Sequence, residues 1–266
     1  MQVIDKIKAM WPGRSRPEPA APQVPDGRRV YAVGDIHGHG RLLTRLRASI
    51  AEDAGRHPRT QPVIVYLGDY VDRGPTSAEV IETLASHPLP GFQHYTLLGN
   101  HEDMFMRFLG DVGIGPVWFH NGARATLASY GVTMAEEPED EAAFTDIQRR
   151  INDRLPAHHR AFLRGLRPWH REGDYLFVHA GLRPGRAIEQ QNVEDLIWIR
   201  DEFLDAQDDF GAVVVHGHSV RAAPEFRANR IGIDTGAYKT GVLTALVLDG
   251  DSQTVLQTEP GTPERD

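Results

Sequence analysis

The chain of 266 residues contains no cysteine. Disulfides, thiolate metal sites and a cysteine nucleophile are therefore excluded. Any metal must be held by His, Asp, Glu, Asn or backbone oxygen, a donor set that suits Mn, Fe, Zn, Ni or Co. Long apolar runs are missing too. No stretch approaches the roughly 18 residues of a spanning helix, so no transmembrane segment is expected. Basic residues are scarce beside acidic ones, 29 against 37, for a formal charge of −8. That balance argues against a default nucleic-acid binder. It also means that any phosphate chemistry needs local positive charge to override the global field. No internal repeat is visible. What is present is ordinary globular composition, with 40% hydrophobic and 25% charged residues.

The N-terminal "MQVIDKIKAMW" has helical spacing at Val3, Ile4, Ile7, Met10 and Trp11. It lacks the continuous apolar core of a secretory signal, which makes a cytoplasmic location the expectation. It reads as a short surface helix or a frayed end, with a weak membrane or partner contact as the sharper alternative. Residues 12–27 are proline-rich and aperiodic, a linker or a tail ordered by contact. This divides the chain into an N-terminal segment with linker (1–27), one domain (28–258) and a C-terminal tail (259–266).

From Arg28 apolar runs alternate with helical spacing. "RRVYAVG", "PVIVYLG" and "FQHYTLLG" read as strands. "RLLTRLRASIAEDAG" and "TSAEVIETLASH" read as helices between them, the second opening on a Ser/Glu capping signal. Such alternation implies βαβ units and neighbouring parallel strands, an α/β fold. Residues 103–168 carry mainly helical patterns, a helical insert. "YLFVHAG", "GAVVVHG", "RIGIDTG", "GVLTALVLDG" and "TVLQT" then return to strand patterns.

Five strand ends carry polar residues flanked by glycine: "GDIHGHG", "GDYVDRG", "GNHE", "VHAG" and "HGHS". A single strand-end Asp is more often a turn or cap residue than a ligand. Six such residues together, Asp35, His37, Asp69, Asn100, His179 and His218, are harder to dismiss. In open α/β sheets ligand groups gather beyond the carboxyl ends of the strands. Imidazole and carboxylate suit borderline divalent ions, and a carboxylate can bridge two of them.

"GDIHG", "GDYVDRG", "GNHE" and "HAG", in this order, resemble the phosphoprotein phosphatase family of calcineurin-like metallophosphoesterases. The resemblance runs from about Arg28 to Leu248. "DLIWIR", "HGHS" and "IDTGAYKTGVLTALVL" bring it nearest to the small bacterial and phage lambda-type serine/threonine protein phosphatases. It implies a β-sandwich flanked by helices, with the helical insert between the third and fourth motif strands. It implies two divalent ions, Mn foremost. Asp35 and His37 would bind the first ion, Asp69 would bridge, and Asn100, His179 and His218 would complete the second. His218 is preferred over His216 because the family ligand follows Gly217 directly. His101 would be the general acid, oriented by Asp72. Arg73, Arg200 and Asn100 would contact the substrate phosphate, and Tyr238 would line the site.

The implied reaction is attack by a metal-bridging hydroxide on a phosphomonoester, with a phosphorylated protein or small phosphate ester as substrate. Hydrolysis of dinucleoside polyphosphates or other nucleotides by the same centre is the alternative. His39, His94, His120, His158 and His159 are read as surface or packing residues, Trp118 and Trp169 as core, and the acidic run 136–141 as a solvated loop and helix start.

Overall fold

The structure, a computed structural model, describes residues 21–259. The N-terminal helix expected over residues 3–11 lies outside the described residues. Two mixed sheets face each other. The first has the order β10-β9-β1-β2-β3, built from β1 (Arg28–Val33), β2 (Gln61–Tyr66), β3 (Gln93–Thr96), β9 (Thr244–Asp249) and β10 (Ser252–Gln257). β1, β2 and β3 run parallel, as the βαβ pattern predicts, and β9 pairs antiparallel to β1. The second has the order β4-β5-β6-β8-β7, from β4 (Trp169–Glu172), β5 (Tyr175–Val178), β6 (Val213–His216), β7 (Glu225–Phe226) and β8 (Arg230–Gly232).

Strand side chains alternate between two faces, so each sheet feeds two cores. Val30, Ala32, Val63 and Val65 of the first sheet meet Tyr175, Phe177, Val213 and Val215 of the second. The opposite face of the first sheet, with Tyr31, Val33, Ile64 and Tyr66, packs under the helices. These are α1 (Gly40–Gly55), α2 (Ser77–Ser86), α3 (Asn100–Phe108), α4 (Gly115–His120), α5 (Ala123–Ser129), α6 (Glu141–Arg154) and α7 (Ala157–Arg164). The outer face of the second sheet, with Leu176, Val178 and Val214, is covered by α8 (Val193–Trp198) and α9 (Asp201–Leu204). A last short helix, α10 (Ala237–Thr240), precedes β9.

One local expectation changes, and two others are made specific. Thr76 occupies the N-cap of α2 without a side-chain cap bond. Its hydroxyl instead accepts from Gly40 N–H and donates to Gly38 C=O, tying the loop after β1 to the start of α2. The last part of the proline-rich stretch packs on the domain: Val24 is buried, and its N–H donates to Gly250 C=O. The acidic run ends as a helix start, with the Asp140 carboxylate accepting from Ala143 N–H at 2.8 Å to cap α6.

Candidate metal centre

Parallel strands end on the same side, so their following loops share one edge. Asp35 and His37 follow β1; Asp69, Asp72 and Arg73 follow β2; Asn100 and His101 open α3 after β3. His179 and His218 follow β5 and β6 of the second sheet. Among the described residues, five non-glycine residues have positive φ: His37, Asp69, Asp72, Arg73 and His218. All five lie in these loops. Left-handed backbone costs energy for such residues and persists only where the surroundings over-determine it.

Asp69 stands at the middle. Its Oδ1 is 3.3 Å from His179 Nε2, and its Oδ2 is 3.6 Å from His37 Nε2 and 3.7 Å from His101 Nε2. Asn100 Oδ1 lies 3.0 Å from His179 Nε2. The rings are fixed from behind: His37 Nδ1 donates to Val71 C=O at 3.1 Å and His179 Nδ1 to Leu67 C=O at 2.9 Å. Each Nε2 therefore turns a lone pair towards Asp69, the arrangement of metal-binding histidines. Asp35 accepts the backbone N–H of His218 at 3.1 Å, across the two sheets. A Cβ on Gly217 would collide with the Asp35 carboxylate, and one on Gly99 with that of Asp69.

The electrostatics follow from burial. Desolvation pushes Asp35 well above the usual carboxylate range, with Asp234 and Asp69 adding to it. Desolvation also acts on Asp69, but His179, His101 and His37 outweigh it and hold Asp69 below that range. Burial lowers His37, His179 and His218, which favours the neutral, ligating imidazole. His218 Nε2 is buried with no hydrogen-bond partner. An orphaned imidazole nitrogen beside converging lone pairs and carboxylates fits a bound cation. Two donor groups meet this need, His37–Asp69–His101 and Asp69–His179–His218. They share Asp69.

His101 differs from the other ring donors. Its Nδ1–H donates to Asp72 Oδ2 at 2.7 Å. Burial lowers its pKa, but Asp69 and the Asp72 bond more than compensate and hold it above the ordinary histidine value. Arg73 Nη2 lies 3.2 Å from His101 Nε2, and its guanidinium sits 4.3 Å from the Tyr238 ring centroid. Arg73, Arg200, His218, Arg221 and Tyr238 line one pocket.

The sequence reading missed several contributors. Trp118, expected as core, is buried, yet its indole N–H also donates to Asp72 Oδ2 at 2.9 Å. Thr126 donates to Asp72 Oδ1 at 2.6 Å. Glu102 accepts from the backbone N–H groups of Asp69, Gly99, Tyr70 and Val71 and so shapes the loop that presents Asp69. Asp234, at the end of β8, faces the centre and is raised to about 6 by burial and by Asp69, against the Gly236 N–H that lowers it. Its "GID" repeats the strand-end acid pattern and could have been found by it. His216, the neighbour passed over for His218, points away. Its ring packs on Phe203, 5.1 Å between centroids.

The calcineurin-like phosphoesterase family model matches residues 28–239. The chain belongs to this family. It is 29% identical over 233 residues to the asymmetrical bis(5′-nucleosyl)-tetraphosphatase PrpE of Anoxybacillus flavithermus, covering 80% of this chain and 88% of that one. It is 27% identical over 225 residues to serine/threonine-protein phosphatase 2 of Escherichia coli, covering 82% and 91%. Among solved structures, a cold-active protein-tyrosine phosphatase of a Shewanella species superposes with a TM-score of 0.52 at 17% identity, covering 88% of this chain and 83% of that one. The fold class and the metal-dependent phosphatase activity expected from the motifs are thereby established.

Proposed function

We propose that this metallophosphoesterase hydrolyses alkyl phosphate monoesters, with phosphoserine and phosphothreonine in proteins as the substrate class. The observation that carries this reading is the buried Trp118/Thr126–Asp72–His101 relay. A serine or threonine alkoxide is a poor leaving group and needs a proton as it departs. A nucleotide leaving as a phosphate does not. The relay supplies that proton: Asp72 holds Nδ1–H, leaving Nε2 of His101 to face the pocket and donate.

Asp35 and His37 are the residues we assign to one ion, Asn100, His179 and His218 to the other, and Asp69 to both. Two divalent ions there, with Mn as our first expectation, supply Lewis acidity for phosphorus and for its water nucleophile. Arg73 offers a planar fork to phosphate oxygens, and Arg200 a second. The Tyr238 ring lies under the Arg73 guanidinium, 4.3 Å from its carbon to the ring centroid.

A second reading is hydrolysis of dinucleoside polyphosphates. It is favoured by the sharing of one pocket among Arg73, Arg200 and Arg221, more cationic reach than one phosphate needs. Turnover of phosphoseryl and phosphothreonyl peptides, p-nitrophenyl phosphate and diadenosine tetraphosphate by one preparation separates the two. The first reading expects kcat/KM on phosphopeptides to exceed that on the tetraphosphate. The reverse order would overturn it.

A further inference from the structure

A second group of metal-type donors lies outside the catalytic centre. Glu82, on α2, is met by two consecutive histidines from the first turn of α7. Its Oε2 is 2.7 Å from His158 Nε2 and 2.8 Å from His159 Nε2. His87, just past the end of α2, brings its Nε2 to 3.9 Å from Glu82 Oε1. One ligand atom each from Glu82, His158 and His159 lies within 4.8 Å of the others. Adjacent helix positions do not share a face, so the convergence of these rings on one oxygen is specific to this corner.

The back of the cluster is built as well. His159 is buried, and its Nδ1 is 2.9 Å from the Tyr130 hydroxyl on the chain just after α5. A ring held at one nitrogen by an outer group presents the other to an ion in a fixed direction. When Nδ1–H donates to Tyr130, Nε2 of neutral His159 and the Glu82 carboxylate face each other as two lone-pair donors. In that tautomer a shared cation satisfies both, whereas the opposite tautomer, with Tyr130 O–H donating to Nδ1 and Nε2–H to Glu82, needs none. Donor separations of about 3.3 Å are those of a tetrahedral ion with bonds near 2.0 Å, so the pairs need open by about half an ångström.

We propose that Glu82, His158 and His159, with the exposed His87 as a fourth donor, form a peripheral site for a borderline divalent ion such as Zn²⁺, Ni²⁺ or Cu²⁺. Two imidazoles and one carboxylate suit these ions rather than Mg²⁺ or Ca²⁺. The ion joins α2 to α7. It thus braces the helical insert against the helix whose first residue, Ser77, accepts from Asp72 N–H. None of the four donors touches the catalytic centre.

The test uses the full chain saturated with Zn²⁺ throughout, so that exchange of ions at the catalytic centre cannot pass for new binding. Metal content after gel filtration is compared between wild type, Glu82→Gln and His158→Ala. Wild type is expected to hold one equivalent more than either variant, whether the catalytic centre holds one ion or two. Anomalous scattering at the zinc edge is expected between α2 and α7. Zinc should also raise the Tm of wild type above that of His158→Ala, and phosphatase activity should be the same in all three. His158 is half exposed, so its replacement leaves packing intact if Glu82→Gln proves unstable. Equal metal content in wild type and His158→Ala, or anomalous density confined to the catalytic centre, would overturn the proposal.

Discussion

The proposed acid role of His101 is the one that most sharply separates one substrate class from another. His101→Asn should retain its metal content and lose on the order of 10²–10⁴-fold in turnover of an alkyl phosphate. The loss on p-nitrophenyl phosphate should be smaller, because nitrophenolate departs without help. Equal losses on both substrates would remove the acid role. Arg73 makes no ion pair with Asp72 or Glu102 among the described residues; it lies against Tyr238 and His101. Arg73→Lys should therefore keep its metal and its Tm, and inorganic phosphate should inhibit it less well. Trp118→Phe removes one N–H from Asp72. An outer-shell loss of this kind should lower kcat on the order of 10-fold with little change in KM, and steady-state kinetics beside a melting curve would show whether the effect is catalytic. Motifs name the residues that act, since Asp, His and Arg recur at strand ends. They do not name Trp118 or Thr126, which sit 46 and 54 positions from Asp72 and look like any apolar or hydroxyl residue in a helix.

At the scale of elements, the loop after β2 rests on one side chain from α3. Four backbone N–H groups donate to the buried Glu102 carboxylate. Glu102→Gln turns an NH₂ towards those donors. Leaving them unpaired should cost about 1–3 kcal/mol, and denaturant titration together with metal analysis should show lower stability and lower metal occupancy. The strand pattern is readable for β1, β2, β5 and β6 from their apolar runs, and for β3 from its apolar flanks Phe92, Leu97 and Leu98 rather than from "QHYT" itself. β4 and β7 are not. "WHRE" carries three polar residues out of four, and "EF" is too short to have a period; both are edge strands held by partners rather than by their own composition. β7 is pinned through Glu225, whose carboxylate meets Arg230 at 2.7 Å and Arg227 at 2.6 Å. The bonds to Arg230 and Arg227 lower Glu225 from 4.5 to about 2. A depressed carboxylate stabilises the fold above its unfolded pKa and ceases to do so as pH falls through the folded value. The Tm difference between wild type and Glu225→Gln should thus be constant above about pH 5 and shrink as pH approaches 2.

For the whole molecule, the proposed donor set spans both halves of the sandwich. Asp35, His37, Asp69 and Asn100 hang from the first sheet, His179 and His218 from the second. Removing the ions leaves buried carboxylates and lone pairs facing one another with no counter-charge. Exhaustive chelation should abolish activity and lower the Tm, and restoring divalent metal should recover both. A Tm indifferent to chelator would show that the sheets hold together without them. The global charge of −8 gave no hint of the local arginine cluster, because Arg73, Arg200 and Arg221 come from three separate loops that only the tertiary fold unites.

The bond from His218 N–H to Asp35 also sets a timetable for synthesis. The two residues are 183 positions apart. Chain closure over that distance comes late in folding, after the local βαβ contacts have formed. A ribosome that has delivered β1, β2 and β3 has delivered an aspartate with nothing across from it. The proposed centre therefore cannot assemble until β5 and β6 have followed those three strands, and β9 and β10 complete the first sheet last of all.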